Sequence, residues 1–358
     1  MITFEFDACF DTPAFLGDAD QNGRWRTPPF KALLRQWWRV VHARDHDPRD
    51  IASMREIEGK LFGSASGKTG NRSRVRVRLD GWQPGSLLKR QWTPLPGFRH
   101  EEVNGGREIS ADSYLGFGPV DGRSASLRNE RAIGPSETRR LSLGLIPDGE
   151  LRHDDKAVAA QLRDVLALIN LYGTLGGRSR NGWGSLRLTP QEAADAFVPA
   201  VPFRPWRDLL CIDWPSAIGA DDKGPLVWST QPMNDWRAAM AELARVRYRV
   251  RRHFRLDGIV SPHAQPAPRH WLAYPVTNHK VTPWDRKGNP RLPNSLRLKV
   301  RAQGDRFVGV VFHMPVRPLD AVFQSDQSVL ETVWSAVHRT LDDRSAGSPS
   351  AGLNRAPF

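Results

Sequence analysis

Two stretches of this sequence carry residue types suited to holding a polyanion. The run Gly173-Thr174-Leu175-Gly176-Gly177-Arg178-Ser179-Arg180-Asn181-Gly182-Trp183-Gly184-Ser185 has five glycines and two arginines. Glycine lets a backbone approach a ligand closely, and successive exposed amides form an anion-binding nest. Arginine adds bidentate phosphate donors. A helix C-cap needs one or two glycines, so Gly176, Gly177, Arg178, Ser179 and Arg180 are candidate phosphate contacts. The second stretch places Lys31, Arg35 and Arg39 at i, i+4, i+8 with no acid on that line. Like charges at this spacing cost a helix a few tenths of a kcal/mol per pair, about 0.2–0.5. A bound anion relieves the repulsion; an ordinary solvated face is the plain alternative. Trp38 lies among the cations, and either stacks on a base or packs inside. The preceding turn-rich loop, Gly17 to Pro29, offers Gln21, Asn22, Arg24 and Arg26 as donors to phosphate or base edges, with Thr27 placed to cap the helix.

Two further rows alternate cation and apolar residue. Arg74, Arg76 and Arg78 oppose Val75, Val77 and Leu79, and Arg297, Lys299 and Arg301 oppose Leu296, Leu298 and Val300. In a strand each row points outward together. Such a row either tracks a phosphate backbone or protects an edge strand from aggregation.

Recognisable catalytic sets are missing. Gly63-Ser64-Ala65-Ser66-Gly67-Lys68-Thr69 imitates a nucleotide-binding loop but has the wrong glycine spacing. Gly134-Pro135-Ser136-Glu137-Thr138 lacks the last glycine of a nucleophile elbow. His42, His46, His253, His263, His270 and His279 show no metal-ligand spacing, and Asp18 and Asp20 have no evident distant partner. No metal and no cofactor are expected.

The composition agrees with binding. The chain of 358 residues has 52 Lys plus Arg against 39 Asp plus Glu, a net charge of +13, which favours polyanions. Thirteen Trp and fifteen Phe supply both core and faces for base stacking. Cys9 and Cys211 have no CxxC partner, which argues against a disulfide framework or cysteine zinc site. No apolar run is long enough for a membrane span, and the start lacks a signal-peptide pattern. A cytoplasmic location is expected.

The elements that must position these residues follow from periodicity. Met1–Phe10 reads as a strand, Phe30–His42 as a helix with Leu33, Leu34, Trp37 and Val41 on its buried face, and Ser73–Leu79 and Thr138–Leu145 as strands. Lys156–Thr174 reads as a helix and Trp183–Leu188 as a strand. That order, βαββαβ, is the ferredoxin-like, RRM-like split βαβ arrangement. A similar order follows: Trp206–Trp214 strand-like, Asn234–Phe254 helical, Leu296–Arg301 and Phe307–Met314 strands, and Val329–Leu341 helical, with no visible closing strand. The fold class is α+β, two tandem ferredoxin-like domains packed together. Residues 1–190 form the first, 191–205 a linker, 206–343 the second, and 344–358 a flexible tail.

Thr12-Pro13-Ala14-Phe15-Leu16-Gly17, Ala19-Asp20-Gln21, Pro29-Phe30-Lys31-Ala32-Leu33-Leu34-Arg35-Gln36-Trp37-Trp38-Arg39, Leu61-Phe62-Gly63-Ser64 and the Leu175–Ser185 loop together resemble the RAMP proteins of type III CRISPR systems. More narrowly, they resemble subunit one of the type III-B Cmr complex. Tyr114-Leu115-Gly116-Phe117-Gly118 and Pro293–Val300 are weaker matches, and Asn181 stands where the family often has Arg. The resemblance implies two ferredoxin-like RAMP domains. It also implies a non-catalytic place in an antiviral ribonucleoprotein, holding the 3′ region of the guide RNA and the guide–target duplex. Guide RNA, target RNA and other RAMP subunits are then the partners, and no membrane is involved. Two rivals stand beside this: a metal-independent RAMP endoribonuclease that processes CRISPR RNA with a histidine general base, and a protein scaffold that barely touches RNA.

Overall fold

The structure, a computed structural model, describes residues 1–65, 70–102, 106–148, 152–192, 197, 200–256, 261–288, 290–345 and 352–355. Ser66 to Thr69 of the imitation nucleotide loop and residues 257–260 of a long loop lie outside them. The chain divides into two compact units. The first comprises Met1–Pro94, Asp112–Pro202 and Lys299–Ala302; the second comprises Leu95–Ala111, Phe203–Leu298 and Gln303–Phe358.

The first unit is built on β1 (Ile2–Phe10), whose alternation sends Phe4, Phe6, Ala8 and Phe10 inward. Helix α1 (Thr27–Asp45) follows, with prolines in its first turn where no amide is needed. Its buried face includes Phe30, Leu33, Leu34, Trp37 and Val41, as the periodicity requires. Arg26, not Thr27, is the N-cap, and no side chain caps it. Helix α2 (Ile51–Phe62) was not legible beforehand; the Asp50 carboxylate accepts from the Ser53 amide at 3.0 Å to start it. Strands β2 (Val75–Leu79) and β3 (Thr138–Leu145), helix α3 (Arg152–Tyr172) and strand β4 (Leu186–Pro190) supply the rest of its main sheet and second long crossover. The sheet order is β2-β3-β1-β4 and every pairing is antiparallel, with Ile2 opposite Leu145 and Phe10 opposite Leu186. Trp183, expected to open β4, lies before it and is fully buried.

The second unit contains β5 (Val227–Ser229), α4 (Trp236–Arg252), β7 (Arg306–His313), α5 (Gln327–Asp342), β8 (Asn354–Arg355) and β6 (Leu296–Gln303) apart from its residues Lys299–Ala302, which belong to the first unit. The sheet order is β6-β7-β5-β8. Two expectations are corrected here. Trp206–Trp214 is not a strand: a short helix, Trp206–Leu209, follows the strand Phe203–Pro205. Of the expected tail 344–358, only 344, 345 and 352–355 lie among the described residues, and there Asn354 and Arg355 pair antiparallel with Ser229 and Trp228. Leu353 is buried, and the Arg355 guanidinium binds the carboxylates of Asp221 and Asp342 at 2.8 and 3.0 Å.

The outward row on β6 is also corrected. Leu296 to Val300 are all buried, so both faces of the strand are covered there and alternation no longer separates core from solvent. Lys299, within the first unit, has no exposed surface. Its Nζ donates to the carbonyls of Ile169, Asn170 and Leu186 at 3.1, 2.7 and 2.7 Å. It thereby adds a donor to the carbonyl end of α3, where Ile169 O also accepts from Gly173 N–H at 2.7 Å. Burial holds its pKa well below the usual lysine range.

Candidate nucleic-acid interface

The Gly-rich loop leaves the end of α3 and closes on itself before β4. Leu175 N–H donates to Gly184 O at 2.8 Å, and Thr174 bridges Ser185. Two of its glycines are obligatory. A Cβ on Gly184, which has φ +63°, would meet Leu175 O at 1.9 Å, and one on Gly176, at φ +99°, would meet Phe15 O at 2.7 Å. Much of the expected amide nest is already engaged. Gly177, Ser179, Asn181, Gly182 and Gly184 donate their amides to protein carbonyls. Thr12 Oγ1 donates to Gly182 O at 2.8 Å and accepts from Ser185 N at 3.0 Å, pinning the loop's base. What the loop offers to solvent is chiefly the side chains of its arginines. Arg178, at φ +57°, is exposed and donates through Nε to Phe117 O at 2.5 Å. Arg180 is exposed and forms no ion pair among the described residues, while the crowding of its surroundings lowers its pKa. Asn181 points inward and donates to Leu115 O at 2.7 Å, so it stands outside the exposed cationic surface.

The loop rests on residues 12–24. Gly177 N–H donates to Phe15 O at 2.9 Å, and Arg24 N–H donates to Leu16 O at 3.0 Å. One short segment thus touches both the Gly-rich loop and the turn that follows it. In that turn Asp18 Oδ1 accepts from the amides of Asp20 and Asn22, both at 3.0 Å. Gln21 sits exposed at the tip in a left-handed conformation, φ +62°. Asn22 is engaged internally: its Oδ1 accepts from Glu130 N at 3.1 Å. Arg24 pairs loosely with Asp18 at 3.4 Å, while Arg26 has no ion pair among the described residues. The structure therefore brings Gly176–Arg180 together with the 15–24 turn and with residues 115–130.

The α1 cations have other partners. Lys31 Nζ donates to Ser73 Oγ at 3.0 Å. Burial lowers its pKa, and Arg35 and Arg76 lower it further, which places an exposed β2 cation beside it. Arg35 and Arg39 are both bound by Glu58 of α2: Arg35 Nε at 2.8 Å, and Arg39 Nε and Nη2 at 3.0 and 2.8 Å. The Glu58 side chain is only 3% exposed. The expected uncompensated repulsion is thus relieved inside the protein. Trp38 is 1% exposed, stacked on His42 and edge-on to Phe62, which corrects its candidacy as a base platform. It packs because α2 covers α1 on the flank that the sequence pattern leaves facing solvent.

The histidines are mostly interior. His42 is stacked against His46 with ring centroids 4.0 Å apart. His263 Nε2 lies 3.0 Å from His279 Nδ1, and burial lowers the pKa of the neighbouring His270 to about 4. Sequence reasoning missed Phe117 and Arg128 as contacts of the Gly-rich loop region. The Tyr114–Gly118 match was a signal for Phe117, and nothing in the sequence pointed to Arg128.

A family model described as the RAMP superfamily matches residues 11–187. Residues 11–187 are a RAMP-superfamily region. The RAMP match begins at Asp11, beside the Thr12 clasp, and ends at Arg187 in β4, so it encloses the whole site described above. No curated protein sequence matches the chain. Among solved structures, a chain of a type III-B Cmr-beta complex bound to cognate target RNA and AMPPnP is similar with TM-score 0.50 and 11% identity, over 94% of this chain and 99% of that one. Cmr1 from Pyrococcus furiosus, in apo form, gives TM-score 0.48 and 17% identity over 95% and 97%. Among the described residues, no helix is long and apolar enough to cross a membrane, and no three His, Cys, Asp or Glu side chains cluster to hold a metal ion.

Proposed function

We propose that this RAMP protein is an RNA-binding subunit of a type III-B CRISPR ribonucleoprotein. In that role it holds the 3′ region of a guide RNA and the guide–target duplex beside other RAMP subunits in the cytoplasm, and it does not cut RNA. Both units are read as ferredoxin-like lobes. Each has the order βαββαβ, counting α1 with α2 as the first crossover, and each sheet sets its first strand between the third and the last. The observation that carries the reading is Arg180, an exposed guanidinium with no counter-ion among the described residues, beside Arg178 on a loop most of whose amides are bonded within the protein. Such a cation is set for a charge-assisted bond to phosphate. The net charge of +13 supplies the long-range attraction. The structural likeness to a complex solved with target RNA supports the assembly part of the reading.

Salt dependence of RNA binding tests this. With Arg26, Lys31, Arg178 and Arg180 each meeting one single-strand phosphate, log K falls against log salt with a slope of about −2.8. Replacing Arg178 and Arg180 with Ala should flatten the slope by about 1.4 and weaken binding, with at most a small fall in Tm from the lost Arg178–Phe117 hydrogen bond. An unchanged slope would remove the Gly-rich loop from the interface.

A further inference from the structure

We infer that Phe117 is a stacking platform for one unpaired nucleobase. The inference rests on the RNA-binding reading above and adds a subsite to it. The ring is 56% exposed, whereas its loop neighbours Leu115, Val120 and Leu127 are at most 3% exposed. A lone exposed ring is ordinary on a protein surface; three observations set this one apart.

First, the ring is held out by a built loop. Val120 N–H donates to Gly116 O at 2.9 Å, Gly118 N–H to Val120 O at 3.1 Å, and Arg128 N–H to Pro119 O at 2.9 Å. Asp121 Oδ1 accepts from the amides of Arg123 and Ser124, both at 2.9 Å. Second, two cations lie close to it. Arg128 Cζ lies 5.7 Å from the ring centroid, with its guanidinium paired loosely to Asp121 at 3.6 Å, and Arg178 is bonded to the Phe117 carbonyl. Third, glycine keeps the ring clear. A Cβ on Gly122 would come within 3.1 Å of ring carbons Cδ2 and Cε2.

An exposed aromatic ring with two guanidinium groups close by suits a base with its flanking phosphates, and suits an apolar protein surface poorly. The base must be unpaired, because bases in a duplex are already stacked and hidden. Stacking carries no counterion release, so the platform adds affinity without adding to the salt slope.

The test uses the full chain with a fluorescent 20-nucleotide oligo(A) and, in parallel, a 20-base-pair RNA duplex. Phe117→Ala and Phe117→Leu should each weaken oligo(A) binding roughly 5- to 100-fold with the salt slope unchanged. Phe117→Trp should restore it, and duplex binding should not move. Gly122→Val, which covers the ring without removing it, should mimic Phe117→Ala. Equal oligo(A) affinity in Phe117→Leu and wild type would overturn the platform, as would equal losses on oligo(A) and duplex. If Arg178→Ala/Arg180→Ala loses RNA while Phe117→Ala does not, the platform alone fails. If the wild-type chain binds neither RNA, both readings fail. Loss of association with co-expressed partner subunits at unchanged RNA affinity would make the ring a protein contact and overturn the proposal.

Discussion

Lys299 shows how far one residue can depart from its local pattern. Read along the strand, it belongs with Arg297 and Arg301 on an outward cationic face. In space its ammonium is sealed against three carbonyls, two of them at the end of α3. No local pattern could reveal this, because the carbonyls come from residues more than a hundred positions away. Lys299→Met keeps the apolar stem and deletes the donors. It should destabilise the protein by about 3 kcal/mol, since buried acceptors are left unpaired. Denaturant unfolding checks this, and a midpoint shift worth under about 0.5 kcal/mol would show that the carbonyls find other partners. Gly176 and Gly184 are the contrasting case. Their type alone announced a close backbone approach, and the carbonyls of Phe15 and Leu175 are what they approach.

At the scale of elements, what could be read depended on an unbroken apolar period. Strands β1 and β3 and helices α1, α3, α4 and α5 have such periods and were legible within a few residues. Helix α2 was not. Its buried face runs Met54, Glu58, Leu61, Phe62, so a carboxylate interrupts the stripe. That carboxylate is the counter-charge for Arg35 and Arg39, and without α2 the cations of α1 have no visible partner in the sequence. Strand β5, at three residues, and β8, at two, are too short to carry a period. Glu58→Gln tests the α1–α2 clasp and the interface together. Loss of the shared carboxylate should cost about 1–2 kcal/mol of stability, because the arginines remain partly solvated. The same change frees two cations on α1. If α1 lies in the RNA path, the salt slope should steepen by up to about 1.4, measured by anisotropy titrations at several salt concentrations. A stability loss with no change in slope would confine α1 to a structural role.

At the scale of the whole molecule, the linker 191–205 suggests a single cut between two self-sufficient halves. The contacts say otherwise. The first unit includes Lys299–Ala302: besides the Lys299 seal, Val300 N–H donates to Ser185 Oγ at 2.9 Å and Ala302 N–H to Asp11 Oδ2 at 3.2 Å. The second includes Leu95–Ala111. There the Tyr248 hydroxyl accepts from Glu101 N–H at 2.9 Å, and Glu102 Oε2 binds Arg269 Nη2 at 2.7 Å, which helps hold the Glu102 carboxyl below its ordinary pKa. Charge and composition could not foresee this exchange, because chain excursions of four and seventeen residues leave no compositional mark. A fragment ending at Pro202 lacks the Lys299 donor at the end of α3. A fragment starting at Phe203 leaves Arg269, whose side chain is 8% exposed, without its carboxylate. Breaking a buried charge pair in this way costs about 3–5 kcal/mol, a large part of a domain's net stability. Each fragment, expressed alone, should therefore melt well below the intact chain or fail to melt cooperatively by circular dichroism. A residues 1–202 fragment with a sharp transition at the intact protein's Tm would mean that Lys299–Ala302 contribute nothing to the first unit, and the boundary would return to the linker.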